Sequence, residues 1–148
     1  MKIEVVYSTR TGDTEKLAEA IAREVGTTAK RASEFRSHDK VDLLFVGSGL
    51  YGWNVDPVAR KLVHSLDSAT VKRVAVFGTA SSFAGNRRVT VQLQQLLRRR
   101  GFAASDAAYS CKARMWFLNR GRPDGEDLKR AAEFAHAAAK AAGPGVTK

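Results

Sequence analysis

The sequence predicts an α/β domain: a doubly wound, five-stranded parallel sheet in three layers, with helices on both faces. Three observations predict it. Short apolar runs rich in β-branched residues alternate with segments of helical periodicity. Three of the runs, IEVVY, VDLLFV and VKRVAVF, are almost wholly apolar, as strands covered on both faces are. Each of the three leads into a loop of glycine, hydroxyl and aromatic residues, and parallel strands gather such loops at one end of the sheet.

Residues 3–7 are apolar and β-branched and read as a buried strand. The turn chemistry of STRTGDT follows. Residues 14–25 place Leu17, Ala18, Ile21, Ala22 and Val25 at helical spacing, and Gly26 suits the residue after a helix end. A short second strand is expected within residues 27–35. Residues 41–46 form the second strong strand, and GSGLYGWNVDP reads as a glycine-rich aromatic loop. Pro57 suits the first turn of a helix whose apolar face is Val58, Leu62, Val63 and Leu66. Residues 71–77 are the third strong strand, running into the loop GTASSFAGN. A helix carrying Val91, Leu93, Leu96 and Leu97 runs to Arg100 and stops at Gly101. The fifth strand falls in the second half of residues 102–111. Residues 112–123 read as a loop, and residues 124–142 as a terminal helix opened by acidic residues that suit its N-terminal dipole.

The 148 residues fit one domain, expected over residues 1–143 with a short flexible tail at 144–148. A domain of this size buries roughly 70% of its unfolded-chain surface, so it holds a core without disulfides or metals. The single cysteine, Cys111, reads as a small buried residue. No signal peptide and no apolar stretch of membrane-spanning length is present, which points to a cytoplasmic protein. The net charge is +10, unevenly spread: residues 1–70 carry ten basic and ten acidic side chains, residues 71–148 fifteen and five. Such a field steers acidic partners or surfaces, and a plain solvated arginine-rich surface is the alternative. Peripheral membrane contact stays open; nucleic acid is disfavoured, since no recognised binding motif occurs.

The first loop carries the most chemistry. Ser8, Thr9, Arg10, Thr11, Gly12, Asp13 and Thr14 lie between a strand and a helix start, where unpaired N–H groups and the dipole attract an anion. The hydroxyls add donors, and Gly12 allows close backbone approach. This mostly hydroxyl cradle suits a phosphate monoester. It lacks the Gly-Lys-Ser/Thr ending of a nucleotide P-loop and the three-glycine dinucleotide spacing. A helix start capped by Thr11 or Asp13 would look the same with no ligand.

The run VYSTRTGDTEKLAEAIAREV resembles the opening of the flavodoxin family, with Thr9, Thr11, Gly12 and Thr14 at the matching positions. VGSGLYGW is similar to that family's second flavin loop, with Tyr51–Gly52 as the stacking pair and Trp53 as the alternative stacker. FGTASSF is similar to the third loop, with Phe83 as the aromatic over the other flavin face. The resemblance implies a flavodoxin-like strand order 2-1-3-4-5 and non-covalent FMN. It implies electron transfer through flavin semiquinone and hydroquinone, which with the basic charge suggests an acidic redox partner protein or acidic small molecule. The implied cofactor-binding residues are the seven of the first loop, then Ser48, Gly49, Leu50, Tyr51, Gly52 and Trp53, then Thr79, Ala80, Ser81, Ser82 and Phe83. No catalytic residue and no metal ligand set is indicated; His38, His64 and His136 have no metal spacing.

Departures from the family pattern are Arg10 inside the phosphate loop, the lack of an acidic residue in the third loop, and the overall basic charge. The opening STR-x-G-x-T is also similar to flavodoxin-like protoporphyrinogen oxidases. An FMN-dependent oxidoreductase of that type, or of the quinone-reductase type, is therefore the second reading; an interaction module without flavin is the third. Residues 112–123, KARMWFLNRGRP, mix arginines with aromatics as a contact surface does, or pack under the terminal helix.

Overall fold

A computed structural model describes residues 1–36, 40–102, 104–113 and 121–143, without the side chains of residues 83 and 104–106. The elements in chain order are β1 (Ile3–Ser8), α1 (Asp13–Val25), β2 (Ala29–Arg31), a 3-10 turn (Ala32–Glu34), β3 (Val41–Tyr51), β4 (Asn54–Val55), α2 (Pro57–Ser65), β5 (Val71–Ala80), α3 (Phe83–Arg99), β6 (Ala104–Lys112) and α4 (Gly125–Ala142). Five strands form a parallel sheet in the order β2-β1-β3-β5-β6, and β4 lies off this path, antiparallel to β3. Counting only the parallel strands, this is the predicted order.

The two faces of the sheet follow from the period of two along each strand. Val6, Leu44, Val46, Val74 and Val76 point to the side covered by α2 and α3. Val5, Tyr7, Leu43, Phe45, Ala75 and Phe77 point to the side covered by α1 and α4. A run such as VDLLFV carries almost no polar residue because both of its faces are buried. Phe45 meets Phe134 of α4 edge to face at 5.7 Å. Gly47 allows Phe77 to cross the sheet surface: a Cβ there would lie 2.2 Å from the Phe77 ring.

Four element boundaries differ from the sequence reading: β6 starts at Ala104, earlier than the second half of residues 102–111, and the other three lie near the loops. β3 runs on to Tyr51 and turns back through β4, so Ser48, Gly49, Leu50 and Tyr51 are strand residues. Their Gly-Ser-Gly composition reads as a loop, yet β1 and β5 on either side hold the backbone extended as far as Gly49. Thr79 and Ala80 likewise end β5, and α3 starts at Phe83. The first residue before α1 is Gly12, with φ +90° and no side-chain cap, so neither Thr11 nor Asp13 is the N-cap. Asp124 caps α4 through a capping box with Asp127. The tail at 144–148 lies outside the described residues. Among the described residues no helix is long and apolar enough to cross a membrane.

Candidate functional site

The connection from β1 leaves towards β2, and that from β3 leaves towards β5. The strand order therefore reverses between β1 and β3, and the crevice of such a sheet opens beyond their carboxyl ends. A cavity of about 160 Å³ lies there, lined by Thr11, Gly49, Leu50, Tyr51, Thr79, Ala80 and Ser81 from the three anticipated segments, with Ala113 after β6.

In the first loop the backbone donors already meet oxygen. The Arg10 N–H donates to the Tyr51 hydroxyl at 2.9 Å, and the Gly12 N–H to Thr9 Oγ1 at 2.9 Å. Thr11 Oγ1 donates to the Asp13 carboxylate at 3.2 Å. Thr14 is fully buried, and its hydroxyl pairs with that of Thr79 at 2.9 Å, tying the first segment to the third. Amides and hydroxyls at a helix start, with the exposed Arg10 cation beside them, make a donor set that fits a phosphate monoester.

Tyr51 is folded down onto this loop. Its ring lies under the Arg10 guanidinium, 4.3 Å from the carbon to the ring centroid, a cation–π contact. A Cβ on Gly49 would stand 2.5 Å from the Tyr51 hydroxyl, so only glycine leaves room for the ring in this position. The cavity is below the roughly 300 Å³ at which ligand pockets begin, and Tyr51 fills part of the crevice.

Asp56 lies behind the loop, and sequence reasoning missed it. Its carboxylate is buried, accepts the Ser8 hydroxyl at 2.6 Å and the Val58 N–H at 3.0 Å, and lies 4.0 Å from Arg10 Nε. Its own N–H donates to Ser48 Oγ at 3.0 Å, which donates on to the Gly49 carbonyl at 2.7 Å. Ser8 therefore binds the carboxylate of Asp56 and Ser48 its backbone N–H, so one residue ties the ends of β1 and β3 together. The available signal was Asp directly before Pro57, an N-cap followed by an N1 proline.

Of the other anticipated residues, Gly52, Trp53 and Ser82 are not among the residues that line the cavity. Trp53 is 57% exposed and points its surface to solvent, with its carbonyl held by Arg88 and Gln92 of α3. Gly52 makes the hairpin turn with φ +57°. Ser82 caps α3, accepting the Gly85 N–H at 3.0 Å. Phe83 is the first residue of α3, and its side chain lies outside the described residues. In the segment 112–123, residues 114–120 also lie outside them. Arg122 is not part of an open contact surface: it donates to both carboxylate oxygens of the buried Asp127, and this holds its own pKa above the usual arginine range. Cys111 is buried as expected, and burial pushes its thiol up to about 12. Among the described residues no cluster of His, Cys, Asp and Glu could hold a metal.

A doubly wound parallel sheet with a donor loop and an aromatic hairpin at its switch point defines the flavodoxin-like class of α/β domains. The sequence model of the flavodoxin domain matches residues 4–107, so the chain belongs to the flavodoxin family, a family of flavin-binding redox proteins. No curated protein matches it by sequence. Among solved structures it is similar to a flavodoxin from the domain Archaea, at 18% identity over 96% of this chain and 99% of that one, with a TM-score of 0.78. It is similar to oxidised Flavodoxin 2 from Bacillus cereus at 21% identity, covering 95% and 99%, with a TM-score of 0.72. A flavodoxin, WrbA-like protein from Agrobacterium tumefaciens aligns at 18% identity over 95% and 96%, with a TM-score of 0.73. At these identities the likeness is one of fold.

Proposed function

We propose that this protein binds FMN non-covalently in the crevice between β1 and β3 and exchanges electrons with a partner. The observation that carries this is the convergence of the phosphate-type loop, the Tyr51 hairpin and the Thr79–Ser81 segment on one cavity. It is the position at which the flavodoxin fold itself holds FMN. When bound, the flavin supplies the redox chemistry, and the protein sets its orientation and surroundings. The Thr9–Thr14 loop holds the phosphate through N–H and hydroxyl donors, with Arg10 as an added cation. Tyr51 offers an aromatic face to the ring system. Asp56 engages the Ser8 hydroxyl through its carboxylate and Ser48 through its N–H, and so fixes the base of the loop.

The test is reconstitution with FMN and, separately, with riboflavin, followed by stepwise anaerobic reduction read in the visible spectrum. The expected result is quenched flavin fluorescence, FMN bound at least about tenfold more tightly than riboflavin, and reduction in two separate one-electron steps. Failure to bind either flavin refutes the proposal. Direct two-electron reduction, with turnover of a quinone, a porphyrinogen or a nicotinamide in the absence of any partner, replaces it with the oxidoreductase reading.

A further inference from the structure

The excess positive charge is arranged by face of the sheet, which the sequence order hides. α1 and α4, on one side, carry seven acidic and five basic residues. α2 and α3, on the other, carry no acidic residue and six basic ones: Arg60, Lys61, Arg87, Arg88, Arg98 and Arg99. All six are exposed, and among the described residues none pairs with a carboxylate.

Apolar exposure collects on the same side. The described residues include four exposed large hydrophobic side chains, and apart from Met1 they are Trp53, Val58 and Val91. Val58 and Val91 belong to α2 and α3, and Trp53 is tied to α3 by Arg88 and Gln92. Trp53 has φ +65°, a conformation that costs a non-glycine residue of order 1 kcal/mol or more. Between the helices runs a groove of about 430 Å³ with Arg60 and Arg99 among its lining residues.

We propose that the α2–α3 face, with Trp53 at its edge, is the docking surface for an acidic protein partner. Charge complementarity supplies the argument for the occupant. Five of the six cations are arginine, which pairs bidentately with carboxylates; the exposed Trp53 and Val91 lie against or on α3, while Val58 lines a second groove with Lys61. Arginine and tryptophan dominate the energetics of protein interfaces, whereas lysine is depleted there. Arginine pairs with phosphate as well, so lipid headgroups and a nucleic acid backbone enter the test as the competing occupants; the exposed tryptophan and valines favour a protein. The position also suits the redox reading on which this rests: Trp53 is two residues from Tyr51, so the Trp53 edge of the face adjoins the hairpin that borders the candidate flavin crevice, while Arg98 and Arg99 close the far end of α3.

The experiment measures binding of an acidic plant-type [2Fe–2S] ferredoxin by calorimetry, using both the flavin-free and the FMN-loaded protein. Expected is binding that weakens between about 50 and 200 mM salt. The pair Arg60→Glu/Arg99→Glu should weaken it at least about tenfold, and Trp53→Ala several-fold with the salt dependence kept. Arg23→Glu/Lys129→Glu, an identical charge change on the opposite face, should cost less than about threefold, because those sites lie beyond a Debye length of the docked partner. Equal losses from the two charge-reversed pairs would mean that only net charge matters and would overturn the proposal. So would absence of ferredoxin binding, or binding of phosphatidylglycerol vesicles or a DNA duplex through this face in preference to ferredoxin. Since the flavin-free protein is tested too, failure to bind FMN with ferredoxin binding intact would remove the flavin reading and leave the docking face standing.

Discussion

Replacing Asp56 with alanine removes one buried and one partly buried hydrogen bond at once, and the structure allows the loss to be sized. The cap on the Val58 N–H is worth about 1 kcal/mol. The Ser8 hydroxyl, buried with its acceptor gone, adds about 1–3 kcal/mol. The contact to Arg10 adds little, because the arginine side chain is 57% exposed and solvent screens the 4.0 Å pair. Relief of the buried carboxylate's desolvation offsets part of the loss. The net expectation is a loss of about 2–3 kcal/mol, or roughly 5–10 °C in Tm for a chain of this size. Asp56→Asn is the control. Asparagine caps a helix as well as aspartate does, and the Ser8 hydroxyl can turn to accept from the amide, so the expected loss is below about 1 kcal/mol. Urea and thermal melts followed by circular dichroism measure both variants. If Asp56→Ala is no less stable than Asp56→Asn, the Asp56 carboxylate does not hold the end of β1 through Ser8; the Ser48 contact, made by the Asp56 N–H, is kept in both variants.

Gly47→Ala places a Cβ against the Phe77 ring and should destabilise by about 2–3 kcal/mol through overpacking, read as a shift in urea midpoint. A companion Phe77→Leu change that restores part of the loss would locate the strain. Cys111 ionises near 9.0 when exposed but only at about 12 in the fold, because burial, then the Asp127 charge, disfavours its thiolate. The folded state thus holds the proton longer, so stability is full below pH 9 and falls as pH rises from 9 towards 12. The half-buried Tyr109 hydroxyl, raised by the same cause, adds to this at the alkaline end. Stability measured across that range should fall less steeply in Cys111→Ala; parallel curves would contradict the assignment. Tyr51→Leu should weaken FMN binding by about three- to tenfold, the worth of an aromatic stack, in a fluorescence titration. Unchanged affinity would remove Tyr51 from the flavin contact.

The parallel sheet was legible because its strands are buried on both sides. VDLLFV and VKRVAVF have no other economical place in a domain of this length, and each amphipathic segment between them resolves into a helix. The strand ends were less legible. In the segment from Gly47 to Tyr51, local composition favours a loop, while pairing with β1 and β5 imposes extended backbone through Gly49. Tertiary context overrides propensity there. Ser8 looked like one more hydroxyl of a cradle, and its turn towards Asp56 depends on a residue 48 positions away. Arg10 was visible as an irregularity, but its seat over Tyr51 comes from the convergence of two strands. The grouping of cations was legible only as an imbalance between halves of the chain. Its separation by face appears once α2, from the neutral half, is laid beside α3.

The β3–β4 hairpin pairs with the rest of the sheet only through β3, and β4 lies off the parallel path. Residues inserted at Gly52 would therefore shift no register among the five parallel strands. Their main cost would be closure of a longer loop, about 0.6 kcal/mol for each doubling of its length. The turn is thus a place at which a sequence can be grafted beside the crevice without moving the parallel register, at the cost of the Trp53 contacts to α3. A library varied there would change what reaches the site while the scaffold keeps folding by the same strand pairings.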